Sequence, residues 1–174
     1  MGRRIILLRA VNVGGAKLPM ADLREVASGL GATEVSTFIA SGNLICVPPG
    51  NPSDFDRALE QAVQERFGFF REVISRTPGE LADALAAFPF GRTTPRFSYL
   101  HVLVATPTPE AAKAFNEADF GADQARVIGD VAHLAYAEGA GRSKLTTAVL
   151  ARRLGVQGTA RNLDTVAKLV ELAG

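Results

Sequence analysis

The sequence predicts an α+β protein made of two ferredoxin-like halves in tandem, with mainly antiparallel sheets and an added C-terminal helix. Three observations carry that prediction. Short β-rich apolar runs and helical-period segments follow one another in the order β-α-β-β-α-β. A stretch dense in proline, glycine and threonine then interrupts the chain before residue 98. Beyond it the same order of elements begins again, with no residue-level repeat to accompany it.

Ile5 to Val11 is nearly all apolar and rich in β-branched residues, as a strand buried on both faces requires; Arg9 is its exception. VNVGGAKLP, residues 11–19, then sets Asn12, the pair Gly14 and Gly15, and Lys17 ahead of a helix opened by Pro19. Met20, Leu23, Val26, Ala27 and Leu30 fall at helical spacing, and Gly31 ends that helix. Val35 to Ala40 and Asn43 to Val47 read as two strands joined by a tight turn at Ser41 and Gly42, stopping at Pro48 and Pro49. Asp54 to Phe67 carries Phe55, Leu59, Ala62, Val63 and Phe67 at helical spacing, with Ser53 as the expected N-cap. Phe69 to Ser75 is the fourth strand, and Thr77 to Phe88 a trailing helix.

These elements make residues 1–88 the first half and 89–97 the linker, leaving 98–174 as the second half. There the expected order is strand Ser98 to Ala105, helix Pro109 to Ala118, strand Gln124 to Ile128, a turn at Gly129 and Asp130, and strand Val131 to Ala137. A helix from Ser143 to Leu154, a weak strand near Val156 to Ala160 and a helix from Leu163 to Ala173 complete it.

Composition excludes several classes of function. With 174 residues and 47% apolar content the chain can bury a continuous core. Nineteen basic side chains against 18 acidic ones leave a net charge of +1, so no global field gathers nucleic acid or anionic membrane. The lone Cys46 excludes an internal disulfide, and with only two histidines no zinc site is evident. A reducing, cytoplasmic setting fits. The basic pair Arg3 and Arg4 precedes an apolar run too short for a signal peptide, and no run approaches the roughly 20 residues of a membrane crossing.

Three stretches taken together, LLRAVNVGGAKLPMADLREV, STFIASGNLICV and GRSKLTTAVLARRLGVQGTARNLDTVAKL, resemble the bacterial domain-of-unknown-function family numbered 1697. The resemblance touches both halves in order. It implies a small bacterial protein with two ferredoxin-like halves and no assigned activity. This chain departs from the family pattern at Ala10, where relatives usually carry glycine, and at Leu163, where they usually carry tryptophan.

The expected topology brings distant loops together. In a split βαβ unit the first and third strands are antiparallel neighbours, which places Asn12, Gly14, Gly15 and Lys17 beside Ser41 and Asn43, near the helix start at Met20. Glycines, free backbone N–H groups and one lysine would suit a phosphate or carboxylate, although neither a P-loop nor a dinucleotide fingerprint is present. The bland alternative is a turn with a solvated lysine. In the second half the same reasoning joins Arg142, Ser143 and Lys144 to Arg161 and Asn162, with Ser143 capping a helix; three cations make this the stronger anion candidate.

Catalytic, metal and cofactor roles find no support. Ser41 has no base, and G-x-S-x-G is absent. His101 and His133 each lie within an apolar strand, Cys46 reads as a core residue, and Asp22, Glu25, Asp56, Glu60 and Glu65 read as solvated helix faces. RNA binding on the sheet fails because the central strands lack aromatics. A helix-turn-helix over residues 146–166 fails because Arg161 and Asp164 occupy its packing positions. The sequence therefore points to a protein that binds, or acts on, a small anionic metabolite. The alternative is a non-catalytic interaction, regulatory or oligomerisation module whose exposed sheet or helix faces meet a second copy or another partner.

Overall fold

The computed structural model describes residues 2–12, 15–91 and 95–174. Two compact units divide the chain: one runs to Leu81 and includes Leu169–Gly174, and the other is Ala82–Lys168. The expected linker, 89–97, contains Arg92, Thr93 and Thr94, which lie outside the described residues; Pro95–Phe97 forms a short 3-10 turn.

In the first half, β1 (Arg4–Leu8), α1 (Met20–Gly29), β2 (Thr33–Thr37), β3 (Asn43–Val47), α2 (Pro52–Phe67) and β4 (Val73–Arg76) build an antiparallel sheet of order β2-β3-β1-β4. Strand β1 is central because both of its faces are apolar: Ile5, Ile6, Leu7 and Leu8 are all fully buried. Each such side chain contributes about 1.5–3 kcal/mol of burial. Ile6 and Leu8 join Leu44 and Cys46 beneath Leu23, Val26 and Ala27 of α1 and Leu59 and Val63 of α2.

Strand β1 stops three residues before the expected Val11. Ala10 (φ 54°) and Asn12 (φ 60°) adopt the left-handed conformation, which ends strand geometry. That conformation favours glycine, the residue that the family resemblance leads one to expect at the Ala10 position. Residues 69–72 precede β4 instead of starting it, because they hold this turn: Arg71 Nε donates to the Ala10 carbonyl at 3.1 Å, and Arg9 pairs with Glu72. Helix α2 is capped by Asn51, whose side chain accepts from the backbone N–H of Ser53 at 2.8 Å; Ser53 is not the cap. A reciprocal capping box, Glu80 N–H to Thr77 Oγ1 (3.1 Å) and Thr77 N–H to Glu80 Oε2 (2.8 Å), starts α3 (Pro78–Ala86).

Two carboxylates expected at the surface are buried. Asp56 accepts from the Ser75 hydroxyl at 2.6 Å, and Glu60 accepts from the Val73 N–H at 3.3 Å and pairs with Arg57 at 2.9 Å. At about 100° per residue, Asp56 lies roughly 60° from Leu59, inside the buried arc of α2. Burial raises both pKa values, with Ser75 opposing the rise at Asp56 and Arg57 opposing it at Glu60.

The second half repeats the pattern with β5 (Ser98–Leu103), α4 (Pro109–Glu117), β6 (Gln124–Ile128), β7 (Val131–Ala135), α5 (Thr147–Leu154) and β8 (Gly158–Asn162), in the sheet order β6-β7-β5-β8. Helix α6 (Leu163–Ala173) follows within the expected bounds. Leu103, Ala132, Leu134 and Tyr136 of the sheet pack with Phe115 of α4 and Leu150 and Leu154 of α5. Asn116 of α4 reaches the outer edge of β6, where its amide donates to the Val127 carbonyl at 3.1 Å and accepts from the Val127 N–H at 2.8 Å. Strand β8 starts later than expected because Gly155 (φ 74°) first closes α5.

His101 and His133 are both fully buried. His133 packs on Phe88, ring centroids 5.8 Å apart, and burial pushes its pKa down to about 4. No helix among the described residues is long and apolar enough to cross a membrane, and no group of three or more His, Cys, Asp or Glu among them could hold a metal ion.

Candidate functional site

The antiparallel register between β1 and β3 brings the two N-terminal loops together, with Leu7 opposite Asn43 and Leu8 N–H donating to the Gly42 carbonyl. Most of the polar groups there hold the backbone. Asn12 accepts from the Leu18 N–H at 2.7 Å and donates both amide hydrogens, to the carbonyls of Leu18 and Ala40. Asn43 is fully buried and donates to the Phe38 carbonyl and to Ser41 Oγ. Gly15 and Lys17 are exposed, and Gly14 lies outside the described residues. Of this cluster, Lys17 offers a charge to solvent, while Asn12 and Asn43 act as loop staples.

In the second half the strand ends converge as the topology requires: Ser98 of β5 lies opposite Ala135 of β7, and Tyr99 opposite Asn162 of β8. The side chains do not converge. Arg161 lies opposite Leu100, so strand alternation puts it on the face away from Tyr99 and Leu103, which pack with α4 and α5. It is buried, donates to Thr159 Oγ1 at 2.6 Å and to the Ala160 carbonyl at 3.0 Å, and burial lowers its pKa to about 10. Asn162 Oδ1 accepts from the Thr165 N–H at 2.8 Å and so caps α6. Arg161 and Asn162 thus do not join Arg142 and Lys144.

Ser143 is not a helix cap either. Thr146 caps α5, accepting from the Val149 N–H at 3.3 Å, because residues 140–142 form a 3-10 turn that delays the helix. The Ser143 hydroxyl instead donates to Asp123 Oδ2 at 2.7 Å and accepts from the Leu145 N–H at 2.9 Å. The other oxygen of Asp123 accepts from the Ala137 N–H at 2.9 Å. One carboxylate therefore ties the loop before β6 to both ends of the loop after β7.

Those two loops and one side of α5 enclose a cleft of about 550 Å³. Phe120, Leu145 and Val149 form its apolar lining, and Arg142 and Lys144 border it. Arg153 is a third cation of the cleft, one that loop adjacency in the sequence does not bring to it. It stands one turn beyond Val149 on the same side of α5, with its guanidinium 5.3 Å from the Phe120 ring centroid. Gly139 (φ 91°) lets the β7–α5 loop pass close to Phe97, whose ring would lie 3.2 Å from an added Cβ. The side chains of Arg142 and Lys144 form no hydrogen bond or ion pair with any described residue.

The cleft suits binding of an anion more than covalent chemistry. Ser143 is engaged by a carboxylate, and Cys46, in the other unit, is buried, with its thiol pKa pushed up to about 12 by burial and secondarily by Asp56.

A family model described as "Protein of unknown function (DUF1697)" matches residues 1–133. The chain belongs to this family. No curated protein matches this DUF1697 member. Among solved structures, "conserved bacterial protein SP0830 from Streptococcus pneumoniae" superposes with a TM-score of 0.77 at 20% sequence identity, covering 99% of this chain and 98% of that one. At that identity the likeness establishes the fold of the DUF1697 chain and carries no activity to it. The description of the family assigns none.

Proposed function

We propose that this DUF1697 protein takes a small organic anion in the cleft of its second unit, either as a binding protein or as an enzyme whose reaction is unidentified. The observation that supports this reading is the pair Arg142 and Lys144, without protein partners among the described residues, beside an apolar lining in a concavity of about 550 Å³. Small-molecule sites commonly occupy about 300–1,000 Å³ and combine apolar walls with a few charged groups. Arg142 supplies a planar fork for carboxylate or phosphate and Lys144 a mobile point charge, while Arg153 extends the cationic side along α5. A cytoplasmic setting is part of the proposal, supported by the single, buried, unpaired cysteine.

The test is a thermal-shift screen of phosphorylated and carboxylated metabolites on the full chain and on Arg142→Ala and Lys144→Ala variants. A ligand at 100 times its Kd stabilises the native state by about 2.7 kcal/mol. That stabilisation should shrink in both variants. If both keep the full shift of the unaltered protein, the ligand sits elsewhere and the proposal fails.

A further inference from the structure

The cleft presents both signs of charge. Asp119, Asp123 and Glu138 line it together with Arg142, Lys144 and Arg153, so its formal charge sums to zero. Opposite charges sharing a concavity attract strongly as the local dielectric falls, and side chains free to meet usually do. Here they do not. None of these six side chains forms an ion pair with another described residue.

The carboxylates differ in what occupies them. Asp123 is committed to Ala137 and Ser143, and Asp119 accepts from the Gly121 N–H at 2.8 Å through one oxygen. Glu138 makes no hydrogen bond or ion pair with any described residue. It lines the same cleft as Arg142 and Lys144 and comes from the same β7–α5 loop. A simple polyanion entering this space would meet three carboxylates as well as three cations. A ligand carrying both signs would satisfy what the protein leaves unpaired.

We infer that the cleft recognises an amphoteric small molecule: a phosphate or carboxylate held by Arg142 and Lys144, an apolar body against Phe120, Leu145 and Val149, and a protonated amine held by Glu138. The inference rests on the reading of this cleft as an anion site and narrows its ligand class. Glu138 sets specificity, since it discriminates between an ammonium-bearing anion and the same anion without the ammonium. The sign of its effect follows from its charge: it attracts the amine and repels the phosphate.

The experiment is calorimetric titration of the full chain at pH 7 with 6-aminohexyl phosphate, hexyl phosphate and hexylamine. The aminohexyl phosphate should bind about fivefold more tightly than hexyl phosphate, the worth of one partly exposed ion pair. In Glu138→Gln that preference should disappear, while hexyl phosphate binds as well as before or slightly better. Equal affinity of the two phosphates for the unaltered protein would overturn the amphoteric assignment and leave the anion site standing. Failure of both phosphates to bind overturns the assignment and the anion reading together. A preference that survives Glu138→Gln overturns the role given to Glu138. Since Glu138 is exposed and its replacement isosteric, a folding defect does not confuse the result.

Discussion

Removing the Asp123 carboxylate tests whether the cleft is held together as described. Its two oxygens accept from the Ala137 N–H at 2.9 Å and the Ser143 hydroxyl at 2.7 Å. Hydrogen bonds to a charged acceptor contribute about 1.5–3 kcal/mol each, and partial exposure puts these toward the lower end. Asp123→Ala should therefore cost about 2–3 kcal/mol in urea unfolding followed by circular dichroism. Combined with Ser143→Ala in a double-mutant cycle, the pair should show a coupling of about 1 kcal/mol or more. Ligand affinity supplies a second readout, because two effects of Asp123→Ala have opposite signs. Charge alone predicts tighter anion binding once a carboxylate leaves the cleft. Release of the loop carrying Arg142 and Lys144 predicts weaker binding, and this second effect should win because Asp123 ties that loop in place. A coupling below about 0.3 kcal/mol together with improved anion binding would refute this role of Asp123.

Ala10→Gly should stabilise the protein by about 0.5–1 kcal/mol: relief of left-handed strain at φ 54° exceeds the entropy cost of glycine, and a raised urea midpoint is the check. Gly158→Ala should destabilise by about 3 kcal/mol, since its Cβ would meet His101 Nε2 and the backbone carbonyl of Val102, both at 2.7 Å; an unchanged melting temperature would contradict this packing. His133 adds a pH dependence of defined sign. Its folded pKa of about 4 lies below the ordinary histidine value of 6.5, so its contribution to the slope dies away as pH rises above 6.5. As pH falls from 6.5 toward 4, the unfolded chain binds a proton that the folded one does not, and stability should drop by about 3 kcal/mol. His133→Leu should flatten that part of the profile; Asp56 and Glu60 titrate in both proteins and cancel in the difference.

Elements with strong local signals were legible in the sequence. Helix α6 and strand β3 occupy the residues that periodicity and turn chemistry assign them. The end of β1 was not legible, because apolar patterning carries no information about φ and Ala10 looks like an ordinary strand residue. Asp56 was read as surface by residue type, although its helical angle already put it within the buried arc of α2. The site was legible only in part. Strand-end topology correctly joined two loops, but adjacency along β8 hid the alternation that turns Arg161 to the other face and commits Asn162 to a cap. Asp123 and Arg153 come from segments that only tertiary packing brings to the cleft. For Arg153 the available clue was its four-residue spacing from Val149.

The amide of Asn116 has the same donor and acceptor as a peptide group, and against Val127 it stands in for one residue of a neighbouring strand. An incoming strand would have to break two existing bonds before making its own at that point. The second sheet therefore resists growth on its β6 side through a single side chain, with no irregularity in the five-residue register between β6 and β7. The first sheet guards its β2 edge differently: the backbone breaks register between Thr33 and Ser36, and Glu34 there adopts φ 52°. Resistance to sheet-by-sheet polymerisation thus depends in one half on a side chain that a single substitution removes, and in the other on main-chain shape.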